Sequence, residues 1–196
     1  AIFSGDPASA IKHFLKAWAA ARATGQIRQA IIAASNASDS FATLGDLNAA
    51  LEWDEQALEL ARSNGLPSMM GSALIQTGNI LRLLGRHQDA KNALQEAQSA
   101  MAGFADSTTY SISLQYMGEL KLDMGEPQLA LDYFDQVGQR VAVADSPQML
   151  LRCWRGQAEA LCRLAQPQAA LTKVAAALKL AEEESGTDEQ INLLRI

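Results

Sequence analysis

Few residues in this chain are of the types that carry covalent or acid–base chemistry, and their spacing works against it. His13 and His87 are the two histidines, and neither has a second ligand type at metal-binding spacing. His87 follows a turn at a helix start, where a solvated capping position is the simplest reading. Asp132 and Asp135 flank Tyr133 and Phe134 as a carboxylate pair at helical spacing. On an outer helix such a pair is a solvated face rather than a general acid and base. Glu182, Glu183, Glu184 and Glu189 read as a solvated helix terminus. Cys153 and Cys162 stand on one expected helix at a spacing that turns them to opposite faces, so they do not pair. Free cysteines fit a reducing, cytoplasmic setting. The chain has no GxSxG, no phosphate-cradling GxxxxGKS or GxxxxGKT, no GxGxxG and no CxxC. The expectation is a protein without catalysis, metal or organic cofactor.

What the sequence does contain is a means of positioning side chains. Gly85 has counterparts at one constant step along the chain: Gly5, Gly45 and Gly125, then Ala165. The units open as GDPASAI, GDLNAAL, GRHQDAK, GEPQLAL and AQPQAAL, with alanine in the same column every time: Ala10, Ala50, Ala90, Ala130 and Ala170. Pro7, Pro127 and Pro167 share a column just after the start. Proline suits the first position of a helix and glycine the reversal before it, so each start closes one helix and opens another.

Two stripes of small and apolar residues follow at helical steps of four and three. Downstream of the turn they are Ala50, Asp54, Ala57 and Ala61, then Ala90, Leu94, Ala97 and Met101, then Ala130, Phe134, Val137 and Val141. Upstream, Ser38, Gly78, Gly118 and Ala158 form a column of small residues, which lets a partner helix approach closely. The breaks between units carry different signals, Thr24-Gly25, Asn64 to Ser68, Asp106-Ser107, Asp145 to Pro147 and Gly186 to Asp188, as helix stops followed by capping side chains. Helices are predicted near 7–24, 27–44, 47–63, 68–84, 87–103, 108–124, 127–144, 147–164 and 167–184. A tenth opens near 188, and a truncated turn precedes Gly5.

Hairpins of this kind cannot bury a face alone and must stack on their neighbours. The spacing Gly78, Gly85, Ala90, Leu94 and Ala97 resembles the tetratricopeptide repeat (TPR), with a small residue in helix A, a turn, and alanines around a bulky residue in helix B. Four units match over nearly the whole chain. The period, measured from Gly45 to Gly85, exceeds the roughly 34 residues usual for that repeat. Arg62, Ala102, Ala142 and Glu182 stand where a helix-ending proline is usual. Both departures predict a longer helix B. This variant resembles the extended repeats of Pins-type adaptors, kinesin light chains and bacterial signalling proteins. The resemblance implies an all-α superhelix, a solenoid of four to five helical hairpins forming a single domain over 1–196. Ala1 to Ser4 and Leu194 fall inside repeats, so a fragment of a longer protein is expected, with any output domain left off.

Composition agrees with a helical module. The chain is 48% hydrophobic and carries a net charge of −6, which disfavours a nucleic-acid backbone as partner. No apolar run reaches membrane-spanning length and no signal-peptide pattern opens the chain.

In the tetratricopeptide fold the helix-A faces line a concave groove, and the resemblance places four columns of this sequence there. They are Ile32, Ser35, Asp39 and Ala42; Ser72, Ile75, Asn79 and Arg82; Ile112, Gln115, Glu119 and Leu122; and Arg152, Arg155, Glu159 and Cys162. Asn79 can donate to and accept from a peptide backbone, and Arg82, Arg152 and Arg155 can fork onto carboxylates. Ile75, Ile112 and Leu122 would offer apolar anchorage. One continuous concavity holding Asn79 and the three arginines is expected. Ser35 and Ile75 stand where a clamp for a chaperone's C-terminal carboxylate would want lysine, so that role is disfavoured. The function implied is a noncatalytic scaffold for a protein or peptide segment. The alternative is a sensory module that binds a small peptide or metabolite and controls an absent output domain.

Overall fold

The computed structural model describes residues 7–104, 107–140 and 146–183. Among these residues the chain is all-α: α1 (Pro7–Ala23), α2 (Ile27–Thr43), α3 (Leu47–Ser63), α4 (Pro67–Leu83), α5 (His87–Ala100), α6 (Thr108–Asp123), α7 (Pro127–Arg140), α8 (Pro147–Arg163) and α9 (Pro167–Glu183). The predicted tenth helix and the turn before Gly5 lie outside the described residues.

A three-residue turn separates consecutive helices from α1 to α5, and the same gap separates α6 from α7 and α8 from α9. The Leu84–Arg86 turn shows why. Gly85 adopts φ 73°, its N–H donates to the Arg82 carbonyl at 2.9 Å, and the Arg86 N–H donates to the Leu81 carbonyl at 2.9 Å. This is the Schellman closure, which needs the left-handed conformation that glycine enters without steric cost. Ala165 holds the equivalent place with φ 57°, its Cβ notwithstanding.

The sequence reading expects the breaks between units to differ from the turns within them. At α5–α6 they do, with a 3-10 turn and the Ser107 side chain accepting from the Tyr110 N–H at 3.2 Å to cap α6. At Gly25 and Gly65 they do not, since the φ values are 69° and 61° and the same pair of bonds recurs: Gln26 N–H to the Ala21 carbonyl at 2.8 Å, and Leu66 N–H to the Ala61 carbonyl at 3.0 Å. The backbone therefore repeats once per helix, from Gly25 to Gly45 to Gly65, while the side-chain chemistry repeats once per hairpin. The longer helix B is also corrected. Helices α2, α3 and α4 each have 17 residues and α5 has 14, so the added length is shared between both helices of a repeat. Helix α5 stops at Ala100 instead of 103, giving way to a 3-10 turn, Ala102–Phe104, around Gly103. Glycine is the costliest ordinary residue in a helix interior.

The helices form two compact units that divide between Phe104 and Ala105. In the first, α1 to α5 each pack on the next, and α2 also touches α4. In the second, α6 to α9 do the same, and α6 also touches α8. The alanine columns are the contact surface: Ala50, Ala90 and Ala130 are wholly buried. A Cβ on Gly78 would come within 2.7 Å of Leu94 and 3.4 Å of the Ala90 carbonyl, so that glycine is required by close approach of α4 to α5. In the second unit Phe134 is the centre of the core, with Leu114, Val137, Met149 and Cys153 around it. Burying such a ring contributes about 1.5 to 3 kcal/mol.

Candidate functional site

The columns expected to meet a ligand lie on α2 and α4 in the first unit and on α6 and α8 in the second, the alternate helices that touch each other. In the first unit Ile32 and Ser72 are exposed, as is Asp39, and Ser35 and Ala42 are partly so. Asp39 accepts a hydrogen bond from the Gln76 amide, which ties α2 to α4. Loss of water around this carboxylate raises its pKa above the usual range, and the bond from Gln76 offsets part of that rise. Gln76 is absent from the predicted residues, although it stands on the same helix about one turn before Asn79 and Ile80.

Asn79 and Arg82, neighbours along one face of α4, meet each other. The Arg82 guanidinium donates to the Asn79 side-chain carbonyl from Nε at 3.3 Å and from Nη2 at 3.0 Å. The asparagine's acceptor is thus used within the helix, and the contact fixes the arginine's orientation. Ile75, expected as apolar anchorage, is 3% exposed and belongs to the core. The apolar side chain available on this face is Ile32, which is half exposed.

In the second unit Gln115 is also withdrawn from solvent. It is 1% exposed, and its amide nitrogen donates to Glu119 at 3.2 Å and to the Arg152 carbonyl at 3.4 Å. Its length lets it reach across to α8, so it braces the two helices. Leu122 is buried and Ile112 packs against the core around Phe134. What remains on the face is charged. Arg152 is exposed, Arg155 lies 3.8 Å from Glu119, and Glu159 accepts from Arg163 at 2.6 Å. Arg163 also donates to the Leu122 carbonyl at 2.6 Å. Cys162 is exposed and Cys153 buried, in keeping with opposite helix faces. The Cys153 thiol donates to the Phe134 carbonyl at 3.0 Å, and burial pushes its pKa up to about 12, which keeps it in the thiol form at neutral pH.

Among the described residues no group of three metal-ligating side chains comes together, and no helix is long and apolar enough to cross a membrane. Neither a protein-family model nor a curated protein matches the sequence. Solved structures match the fold. BtubC (BKLC) from P. vanneervenii aligns over 82% of this chain and 66% of its own, with TM-score 0.69 and 15% identity. A Rap protein complexed with Competence and Sporulation Factor aligns over 94% of this chain and 57% of its own, with TM-score 0.76 and 11% identity. The nearly identical TPR-like repeats of a kinesin light chain candidate from Podosopora anserina align over 92% and 90%, with TM-score 0.65 and 14% identity. The likeness is one of fold: the chain is a TPR-like array of helical hairpins, as the residue columns imply. It spans 66% and 57% of the first two chains it matches.

Proposed function

We propose that the chain is a noncatalytic scaffold that holds an extended or helical protein segment against the paired alternate helices of its units. The observation that carries this reading is the exposed Arg152 beside Arg155 and Glu119 on the α6–α8 face, braced from beneath by buried Gln115. Held side chains lose less entropy on binding than free ones. The arginines recognise carboxylates or backbone carbonyls of the partner by charge-assisted bonds. Asp39 with Gln76, and Arg82 oriented by Asn79, give the first unit a face of mixed polarity beside Ile32. The net charge of −6 disfavours nucleic acid. A cytoplasmic setting and a single domain complete the reading.

A second reading is a sensory module that binds a small peptide or metabolite and controls an output domain. The fold likeness to a Rap protein complexed with Competence and Sporulation Factor favours it. Both readings use the same faces. The test is a pull-down from source lysate with the parent, with Arg152→Ala/Arg155→Ala, and with Asp132→Ala/Gln136→Ala on α7 as control. The double arginine variant should lose the partner while the control retains it. Each charged hydrogen bond lost should cost about 1.5 to 3 kcal/mol, with Arg155 at the lower end because Glu119 shares it. Equal recovery by all three proteins would remove the α6–α8 face from consideration.

A further inference from the structure

The core column that holds Leu94 in α5 and Phe134 in α7 holds Asp54 in α3, and all three side chains are fully buried. At the sister positions the bulky side chain lies on glycine, so closely that a Cβ at Gly118 would stand 2.6 Å from the Phe134 ring. In α2 the glycine is replaced by Ser38, which is also fully buried. Neither carboxylate oxygen of Asp54 nor the Ser38 hydroxyl has a hydrogen-bond partner of normal geometry among the described residues. A core position has been given an ionisable group without the partners that would hold its charge.

The charged groups of the surrounding elements do not compensate it. Helix α2 brings Arg28 and Asp39, α4 brings Arg82, and α3 itself brings Glu52, Glu55, Glu59 and Arg62. Helix α1, joined to α3 by the edge contact of Trp18 on Trp53 at 5.2 Å, brings Lys12, His13, Lys16 and Arg22. Arg22 lies over Trp18, Arg82 is held by Asn79, and Arg62 pairs with Glu96. The charge felt at Asp54 is that of Asp39, which has the same sign.

We propose that Asp54 and Ser38 form a proton-operated switch in the first unit. With the proton on Oδ the carboxyl is a neutral core group and α2, α3 and α4 stay packed. When the proton leaves to solvent, the same position holds an unpaired charge and the local packing opens. Burial raises the Asp54 pKa to about 8, Ser38 draws it partly back and Asp39 adds to it, so the change falls at mildly alkaline pH. Asp39 follows Ser38 directly on α2, so opening there also disturbs its bond from Gln76. The switch does not depend on what the α6–α8 face binds.

Amide hydrogen exchange on the whole chain at pH 6 and pH 9, expressed as protection factors, tests this. Amides of 34–38 and 50–57 should lose protection by on the order of ten- to a hundredfold at pH 9, while those of 114–118 and 130–137 hold theirs. Asp54→Asn keeps the size and removes the proton, and should abolish the difference. Asp54→Leu combined with Ser38→Gly, which reproduces the Leu94–Gly78 pair of the sister hairpin, should abolish it and raise the melting temperature at both pH values. Unchanged protection in the parent, the same loss in Asp54→Asn, or an equal loss in both units would each overturn the proposal. Should the double variant not fold, the other two measurements still decide.

Discussion

The α2–α3 and α6–α7 hairpins share one backbone and differ in what fills its tightest point. In α6–α7 the ring of Phe134 is lodged between Gly118 and Gly156, where a Cβ on either would come within 2.6 Å. In α2–α3 the same register pairs Ser38 with Asp54, and both are as deeply buried. One hairpin gains packing and apolar burial at that point, whereas the other carries a desolvated polar pair. Backbone and close packing are therefore separable in this repeat. The turns and the alanine columns set the hairpin, and the central slot tunes its stability.

The largest effect should come from emptying the aromatic slot. Phe134→Ala removes a fully buried ring and should cost about 3 to 5 kcal/mol in denaturant unfolding. Asp54→Ala, at the same place in its own hairpin, should be neutral or stabilising at pH 8, because it removes a desolvated carboxyl that Ser38 compensates only in part. Equal losses for both would show that the two slots are alike after all. Next is the pH dependence. Asp54 has a folded pKa of about 8 against an ordinary 3.8. Between those values the unfolded chain has released the proton and the folded chain keeps it. Stability therefore falls as pH rises, by up to about 1.4 kcal/mol per pH unit, and levels off above about pH 8. Thermal melts at pH 5, 6, 7 and 8 should show this slope in the parent and not in Asp54→Asn.

Smaller changes sharpen the contrast. Gly118→Ser forces a side chain against Phe134 and should cost about 1 to 3 kcal/mol, whereas Ser38→Gly should cost less than about 1 kcal/mol, the helix-propensity difference alone. Ala130→Leu should overpack the α6–α7 contact at a similar cost of about 1 to 3 kcal/mol. A change in the opposite direction tests the turns. Ala165 is held at φ 57°, so Ala165→Gly should raise stability by about 1 kcal/mol. No change in its melting temperature would show that this turn carries no strain.

The hairpin array is legible because glycine, proline and alanine recur at fixed columns, and each has one dominant conformational use. Gly25 and Gly65 read as a separate kind of break because their flanking residues differ from those of Gly45 and Gly85. Backbone closure is indifferent to those flanks. The candidate site is less legible. Asn79 and Arg82 are expected to face a partner, yet their spacing along one helix also lets them satisfy each other. Gln115 is expected on the surface, and no spacing rule shows that a long amide will reach the carbonyl of Arg152 on another helix. Asp54 is visible in the apolar stripe. A carboxylate aligned with Leu94 and Phe134 signals a buried ionisable group.

The recurring short turns have a mechanical consequence. Gly25, Gly45, Gly65 and Gly85 set four evenly spaced junctions along the chain. A hairpin unit such as 45–85, drawn straight under tension, spans at most about 130 to 145 Å. Pulled from its two ends, the first unit would lengthen in increments of one graduated size, since no linker is longer than its neighbours. The force at each increment would differ, because the slot at Asp54 resists less than the one at Leu94. The first unit is in this respect a ruler with equal divisions and unequal catches, and its first catch to release would be the one that titrates.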